Sequence, residues 1–199
     1  MAGLRTVSQH AARPLWPWLI FDVSQEDRMP SHIQVEVARE SRIDDILPHF
    51  RAYQSSYGEF ACASEKQTRD FLLDLLREPR DGAILIALAD SHVVGFATAF
   101  ATVSDVMASR MFHLGDLYVA PDYRGRRIGE RLIDAVRSEA ARRGIPLVRW
   151  LSVSSNERLN AWYEKRGVKS YDFKLFIGDA QGANKAPEPT PRSVTPRAN

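Results

Sequence analysis

The sequence predicts an α/β domain in which helices flank a mixed central sheet, and three stretches carry that expectation. Between Phe112 and Val153 an apolar run, a Pro-containing turn, a Gly- and Arg-rich loop, an amphipathic helix and a second apolar run follow one another. Strand, helix and strand in that order make a right-handed parallel crossover. Upstream, the apolar runs 83–88 and 93–101 flank the turn residues Asp90-Ser91 and read as an antiparallel hairpin. Before them, segments opening near Ser41 and Ser64 carry apolar residues at spacings of three and four, as helices do. Parallel and antiparallel pairing in one chain require a mixed sheet.

Taken in order, residues 1–32 are expected to be an extension, partly disordered, and Met29 offers an alternative start. The apolar segment Leu15 to Phe21 is broken by Pro17, followed by Asp22, too short to span a bilayer and without a signal-peptide cleavage site. Its aromatic residues either fold back on the domain or pair with a second copy in a homodimer, and the sequence leaves both open. Ile33 to Ala38 alternates as a strand with one buried face. Ser41 and Asp44 offer caps to a helix carrying Ile43, Ile46, Leu47, Phe50 and Tyr53, which closes near Tyr57-Gly58. The second helix starts at Ser64, carries Phe71, Leu72, Leu75 and Leu76 as its apolar stripe, and stops at Pro79. Ala83 to Leu88 is apolar without interruption, as in a strand covered on both faces. Residues 102–110 have no clear period and are expected to form a loop on the substrate side, with Asp105 a turn residue.

Phe112, Leu114, Leu117, Tyr118 and Val119 favour a strand, which Pro121 ends. From Ile128 the stripe of Leu132, Ile133, Val136 and Ala140 marks a helix, stopped by Gly144. Pro146 to Val153 is the next strand, and Ser154 to Glu157 opens a helix with Leu159, Trp162 and Tyr163 that ends at Gly167. Val168 to Ile177 supplies a last strand or two. From Gly178 the chain has almost nothing to bury, so residues 178–199 are expected to be a disordered tail and 33–177 the domain.

Composition narrows the function. A chain of 199 residues, 44% hydrophobic and 26% charged, can bury one sizeable core. A net charge of +2 argues against a general nucleic-acid binder, which needs a large excess of phosphate-neutralising cations. No membrane partner is expected either. The single cysteine, Cys62, cannot form an internal disulfide, so a cytoplasmic location is the default expectation. The five histidines show no metal-ligand spacing, and no metal is expected.

The basic residues are clustered where chemistry needs them. Arg124, Arg126 and Arg127 crowd a helix N-terminus that already presents positive charge, an unfavourable arrangement unless an anion joins it. Gly125 and Gly129 would let a phosphate or pyrophosphate reach the backbone N–H groups. The other reading of this stretch is a solvated basic turn. A P-loop is excluded because no Gly-Lys-Ser/Thr follows, and the G-x-G-x-x-G dinucleotide fingerprint is absent.

These residues resemble a known family, the GNAT superfamily of acyl-CoA-dependent N-acetyltransferases. Its pyrophosphate loop reads R/Q-x-x-G-x-G/A after a Leu-Tyr-Val-like triplet and a Pro-x-Tyr-Arg-Gly turn. Leu117-Tyr118-Val119, Pro121-Asp122-Tyr123-Arg124-Gly125 and Ile128-Gly129 match, and Arg127 stands where the middle glycine would be. Asn156, Trp162-Tyr163 and Glu164-Lys165-Arg166-Gly167 are similar to a later pattern of the family. The resemblance implies a GNAT fold with a splayed parallel strand pair. It further implies acetyl-CoA as co-substrate and transfer to a small primary amine such as a polyamine, an amino acid or an aminated antibiotic. A protein N-acetyltransferase and a non-catalytic acyl-CoA-binding regulatory module remain alternatives.

The resemblance also distributes roles. Arg124, Gly125, Arg126, Arg127, Ile128, Gly129 and Glu130 would hold the pyrophosphate, and the backbone of Leu117, Tyr118 and Val119 would pair with pantetheine as an added strand does. A bulge in that strand would free an N–H for the oxyanion. Asn156 and Tyr163 stand two helical turns apart and can face one groove, Asn156 orienting the cofactor or capping its helix. Tyr163 is the expected acid, because a phenol near pKa 10 can hydrogen-bond a thiolate near 8.5. Asp116 is the expected base or ammonium site, or else a structural carboxylate; relatives that place a glutamate just before it are not matched, as that position is Gly115. His113 is a further candidate for a proton relay. Tyr53, Tyr57 and Glu59 are candidates to line the acceptor site.

Overall fold

The structure is a computed structural model that describes residues 32–57, 63–152 and 154–172. Glu59, Cys62, the N-terminal extension and the C-terminal tail lie outside those residues. The described strands lie side by side in chain order: β1 (Ile33–Val37), β2 (Gly82–Ala89), β3 (His92–Ser104), β4 (Ser109–Val119) and β5 (Val148–Trp150). Neighbours are antiparallel from β1 to β4, and β4 with β5 is parallel. The mixed sheet expected from the sequence is therefore present.

Helices α1 (Ile43–Ser55) and α2 (Glu65–Arg77) cover one face, and α3 (Ile128–Arg142) with α4 (Glu157–Glu164) covers the other. Every residue of β2 is buried, because its odd and even positions enter two different cores. Ile84, Ile86 and Leu88 meet Phe50, Tyr53 and Leu72, whereas Ala83, Leu85 and Ala87 meet the Leu132 and Val136 side of α3. An unbroken apolar run is what that position demands.

Local chemistry sets the boundaries. Asp90 and Ser91 both take positive φ, 47° and 71°, as the two-residue turn of a tight hairpin requires. At α2, Ser64 and Gln67 form a reciprocal capping box. Helix α1 differs from expectation: a 3-10 turn at Glu40–Arg42 leads into it, Arg42 stands at the N-cap without a side-chain capping bond, and Asp44 instead pairs with Arg69 of α2.

Two strand limits differ as well. β3 runs on to Ser104 and β4 starts at Ser109, with Thr102 opposite Met111 and Val103 opposite Arg110, so 102–110 is mainly the end of a long hairpin rather than a loop. Backbone pairing needs no apolar alternation where both faces meet water, and Val103 and Val106 are 72% and 91% exposed. β5 shortens to Val148–Trp150, and residues 168–172 are in no strand, the rest of the expected last strand lying outside the described residues. No described helix is long and apolar enough to cross a membrane.

Candidate active site

The sheet opens where β4 outlives β5. Phe112, His113 and Leu114 pair with Val148, Arg149 and Trp150, and from Gly115 to Val119 β4 continues without β5 beside it. Apart from the Val119 carbonyl, which accepts from the Arg124 side chain, its backbone groups on that edge are left to an outside strand or ligand.

A β-bulge lies at the mouth of this gap. Thr98 is opposite Asp116 and Ala99 opposite Leu114, so Gly115 is the extra residue. Strict alternation would turn Asp116 into the α3 layer with Phe112 and Leu114. With the bulge, Asp116 instead reaches the α1 side, while Leu117 and Val119 join the α3 core and Tyr118 the α1 core. Only glycine fits at the bulge. A Cβ on Gly115 would lie 2.3 Å from Phe100 Cε2 and 3.1 Å from Thr98 Oγ1. Gly115→Ala is accordingly expected to cost about 1–3 kcal/mol of stability, read by denaturant titration; an unchanged midpoint would mean that the Phe100 ring moves aside freely.

Asp116 is held by neutral donors. Its N–H donates to Thr98 Oγ1 at 3.0 Å, and the Thr98 hydroxyl donates to Asp116 Oδ2 at 2.7 Å. Thr98 is fully buried, so this pair of bonds is shielded from water. The Tyr53 hydroxyl also bonds the carboxylate, and burial followed by the Asp116 charge pushes the Tyr53 phenol far up, fixing it as a donor. Tyr57 contacts the Tyr53 hydroxyl. No ion pair joins Asp116 among the described residues, whose carboxylate–cation pairs lie elsewhere. Tyr53 thus supports Asp116 through its hydroxyl, and Tyr57 is the more exposed of the two.

His113 faces the same side as Asp116. Its Nδ1 is buried without a hydrogen bond among the described residues, and burial together with Arg149 holds its pKa below the usual histidine range, against the pull of Asp116. The imidazole is therefore neutral at neutral pH, and a weak base.

Tyr163 sits on the opposite face. Asn156 Oδ1 caps α4 by accepting from Leu159 N–H at 3.2 Å, and two turns later the Tyr163 ring lies 5.1 Å from Trp150 and 5.3 Å from Trp162. Trp150 is the last paired residue of β5, which puts Tyr163 beside the start of the gap. Burial pushes its phenol up to about 12, so the distance from a thiol near 8.5 is widened, not narrowed.

The loop between β4 and α3 forms a basic cradle at the N-terminus of α3. Gly125 has φ 75°, and Arg127 at the N-cap of α3 adopts φ 57°, ψ 15°, a left-handed conformation that costs a non-glycine residue roughly 1–2 kcal/mol. Ile128 and Gly129 are buried, leaving their backbone N–H groups as the groups they can offer. Arg124 Nε donates to the Val119 carbonyl at 3.0 Å, and the Arg126 guanidinium lies 5.3 Å from the Tyr123 ring centre. Glu130, which would repel a diphosphate, is paired with Arg166 at 3.0 Å, and Arg166 stacks on Trp162 at 3.8 Å. The carboxylate in the cradle is thereby neutralised by the turn that follows Tyr163.

The model of the acetyltransferase (GNAT) family matches residues 45–168. The chain belongs to the GNAT acetyltransferase family. It is 28% identical over 137 residues to YhfO, an uncharacterized N-acetyltransferase of Bacillus subtilis, across 69% of this chain and 90% of that one. It is also 28% identical over 96 residues to the L-ornithine N5-acetyltransferase of Arabidopsis thaliana, across 47% of this chain but only 42% of that protein. In shape it matches the crystal structure of a probable acetyltransferase with TM-score 0.63 at 25% identity, covering 73% of this chain and 99% of the other. An aminoglycoside N-acetyltransferase in complex with CoA shares the fold at TM-score 0.63 and 17% identity, covering 75% and 95%. The chain is an enzyme of the acyltransferase type.

Within the GNAT frame, the structure gathers Asp116, Tyr53 and Tyr57 on one side of the gap, and Tyr163, Asn156 and the Arg124 to Glu130 loop on the other. Glu59 lies outside the described residues. Thr98, Arg166 and Arg149 were not singled out from the sequence. Each becomes visible only through a long-range partner: Asp116 across the hairpin, Glu130 from another helix, and His113 from the next strand.

Proposed function

We propose that this enzyme moves the acetyl group of acetyl-CoA onto a primary amine of a small molecule by direct attack, in a domain spanning residues 33–177. One observation carries the reading. Asp116 and Tyr163 stand on opposite faces of the sheet, and the place where a molecule can touch both is the gap left when β5 parts from β4.

The free β4 edge from Leu117 to Val119 pairs with the pantetheine amides, and the Arg124 to Glu130 loop meets the diphosphate with N–H groups and guanidinium charge. The co-substrate supplies an acyl carbon activated by sulfur. Asp116 draws the acceptor ammonium into the gap and takes its proton, directly or through water. As the nitrogen–carbon bond forms and the carbon–sulfur bond breaks, the Tyr163 hydroxyl hydrogen-bonds the departing sulfur, which gathers the negative charge until the second proton shed by the nitrogen reaches it and coenzyme A leaves as the free thiol. Full proton transfer from a phenol near 12 to a thiolate near 8.5 is uphill by roughly 5 kcal/mol. Hydrogen bonding is therefore the larger part of the Tyr163 role. The similarity to the L-ornithine N5-acetyltransferase of Arabidopsis thaliana, named for acetylating an amine of an amino acid, supports a small-amine acceptor.

The test is thiol release from acetyl-CoA across a panel of diamines, amino acids, aminoglycosides and peptides. Asp116→Asn keeps the shape and loses the charge, so KM for the accepted amine should rise about tenfold or more. Binding of coenzyme A without thiol release for any amine would overturn the reading in favour of a regulatory module.

A further inference from the structure

The acceptor face does not end at Asp116. His113 and Arg149 are register partners on adjacent parallel strands, so their side chains share a face, and the bulge at Gly115 puts Asp116 on that face too. His113 carries a buried Nδ1 with no hydrogen bond among the described residues. Arg149 is exposed and forms no ion pair among the described residues. Phe100, the β3 partner of His113, lies against Gly115 between them and packs its ring 6.1 Å from Phe71. An anionic end, an apolar floor and a cationic end thus follow one another along one side of β4.

We propose that the acceptor is itself a zwitterion, an amino acid whose reacting amine sits at Asp116 while its carboxylate is held by Arg149 and His113. This rests on the acetyltransferase reading above and selects among its substrates. Three residues along a strand and one strand across separate the two ends by roughly 10 Å. That span suits a carboxylate separated from its distal amine by a chain of about four or five carbons lying over Phe100. Arg149 supplies charge and a two-pronged donor set matched to a carboxylate. His113, as the Nδ1–H tautomer, adds the donor that is otherwise unused. The same arrangement disfavours polyamines and aminoglycosides, whose second ammonium would face Arg149 with no carboxylate to offset it, whereas an amino acid carries its α-ammonium beside one.

Matched substrates separate the possibilities. Lysine and cadaverine, or ornithine and putrescine, differ only in the carboxylate, and the wild-type enzyme should prefer each amino acid in kcat/KM by at least about tenfold. In Arg149→Gln the KM for the amino acid should rise about tenfold and bring its kcat/KM to within about threefold of the diamine's, with Arg149→Lys recovering part of the preference. Equal or better use of the diamine by the wild type, or a preference that survives Arg149→Gln, would overturn the proposal while leaving the acetyltransferase reading intact. If no amine releases thiol, that reading fails on its own, and calorimetry decides the present point. Lysine should then bind the wild type in the presence of coenzyme A and lose that binding in Arg149→Gln; equal heats in both, or none in the wild type, would refute it.

Discussion

Glu139→Ala is expected to remove about 2–4 kcal/mol of folding free energy, one of the two largest effects in the molecule. Glu139 is 6% exposed on α3, and its carboxylate accepts from Arg142 Nε and Nη2 and from Arg143 Nε, each at 2.7 Å. Arg143 does more than neutralise it. Its guanidinium donates to the Gly82 carbonyl at 2.8 Å and to the Pro79 carbonyl, and sits 5.3 Å from the Phe112 ring centre, so it ties the end of α3 to the entry of β2 and the middle of β4. Removing the carboxylate leaves this guanidinium, only 16% exposed, without its counter-charge. The two carbonyls remain as acceptors, which is why the lower part of the usual range for a broken buried pair applies. Arg142 is 69% exposed and contributes little by itself.

The same site gives a pH signature. Hydrogen bonds from Arg142 and Arg143 hold the Glu139 carboxyl below the ordinary carboxylate range, in spite of its burial. A depressed folded value means stability that is fully present above the unfolded carboxyl pKa, about 4.3, and lost as pH falls through the lower folded value. Denaturant midpoints of the wild type should therefore drop more steeply below about pH 5 than those of Glu139→Ala. Parallel curves would show that the carboxylate is not the origin of the acid sensitivity.

How much of this was legible in the sequence depended on whether a residue's partner was close along the chain. Asp90 with Ser91 and Asn156 with Leu159 are contacts over three residues or fewer, and the residues themselves pointed to the turn and the cap that form, as Ser64 did to the start of α2. The arginine loop was equally plain, since its residues carry their charge wherever they fold. The bulge was implied only by family resemblance, because nothing local tells an extra residue at Gly115 from ordinary alternation; Thr98, on another strand, fixes it. Tyr53 was visible as a residue but not as a support for Asp116, for the same reason. Where backbone pairing alone held the chain, as in the exposed end of the β3–β4 hairpin, apolar periodicity had nothing to report.

The second large effect is expected in Tyr163→Phe, where kcat should fall about a hundredfold or more while the fold and coenzyme A binding persist. Phenylalanine fills the same volume between Trp150 and Trp162, and the lost hydroxyl makes no hydrogen bond among the described residues, so the melting temperature should hardly move. The lower end of the range for acid catalysis applies because burial pushes the phenol up to about 12, a poor match for complete proton transfer. On the proposed mechanism, Phe removes a hydrogen bond to sulfur that gains strength only as negative charge develops there, and a loss of that kind falls on kcat and leaves KM nearly alone. The raised value also fixes the alkaline behaviour. Tyr163 stays protonated through pH 10, so a fall in wild-type kcat well below that pH belongs to another group. Above it, the native state loses stability as pH climbs from the ordinary 10 toward about 12, because the unfolded phenol ionises first. Stopped-flow or thiol-trapping measurements of kcat at pH 7 to 9.5, with calorimetry of coenzyme A on both proteins, check each part. Turnover unchanged in Tyr163→Phe would remove Tyr163 from the chemistry and leave it as a wedge between two tryptophans, whereas loss of coenzyme A binding would mean that the side chain holds the cofactor and does not assist departure of the thiolate.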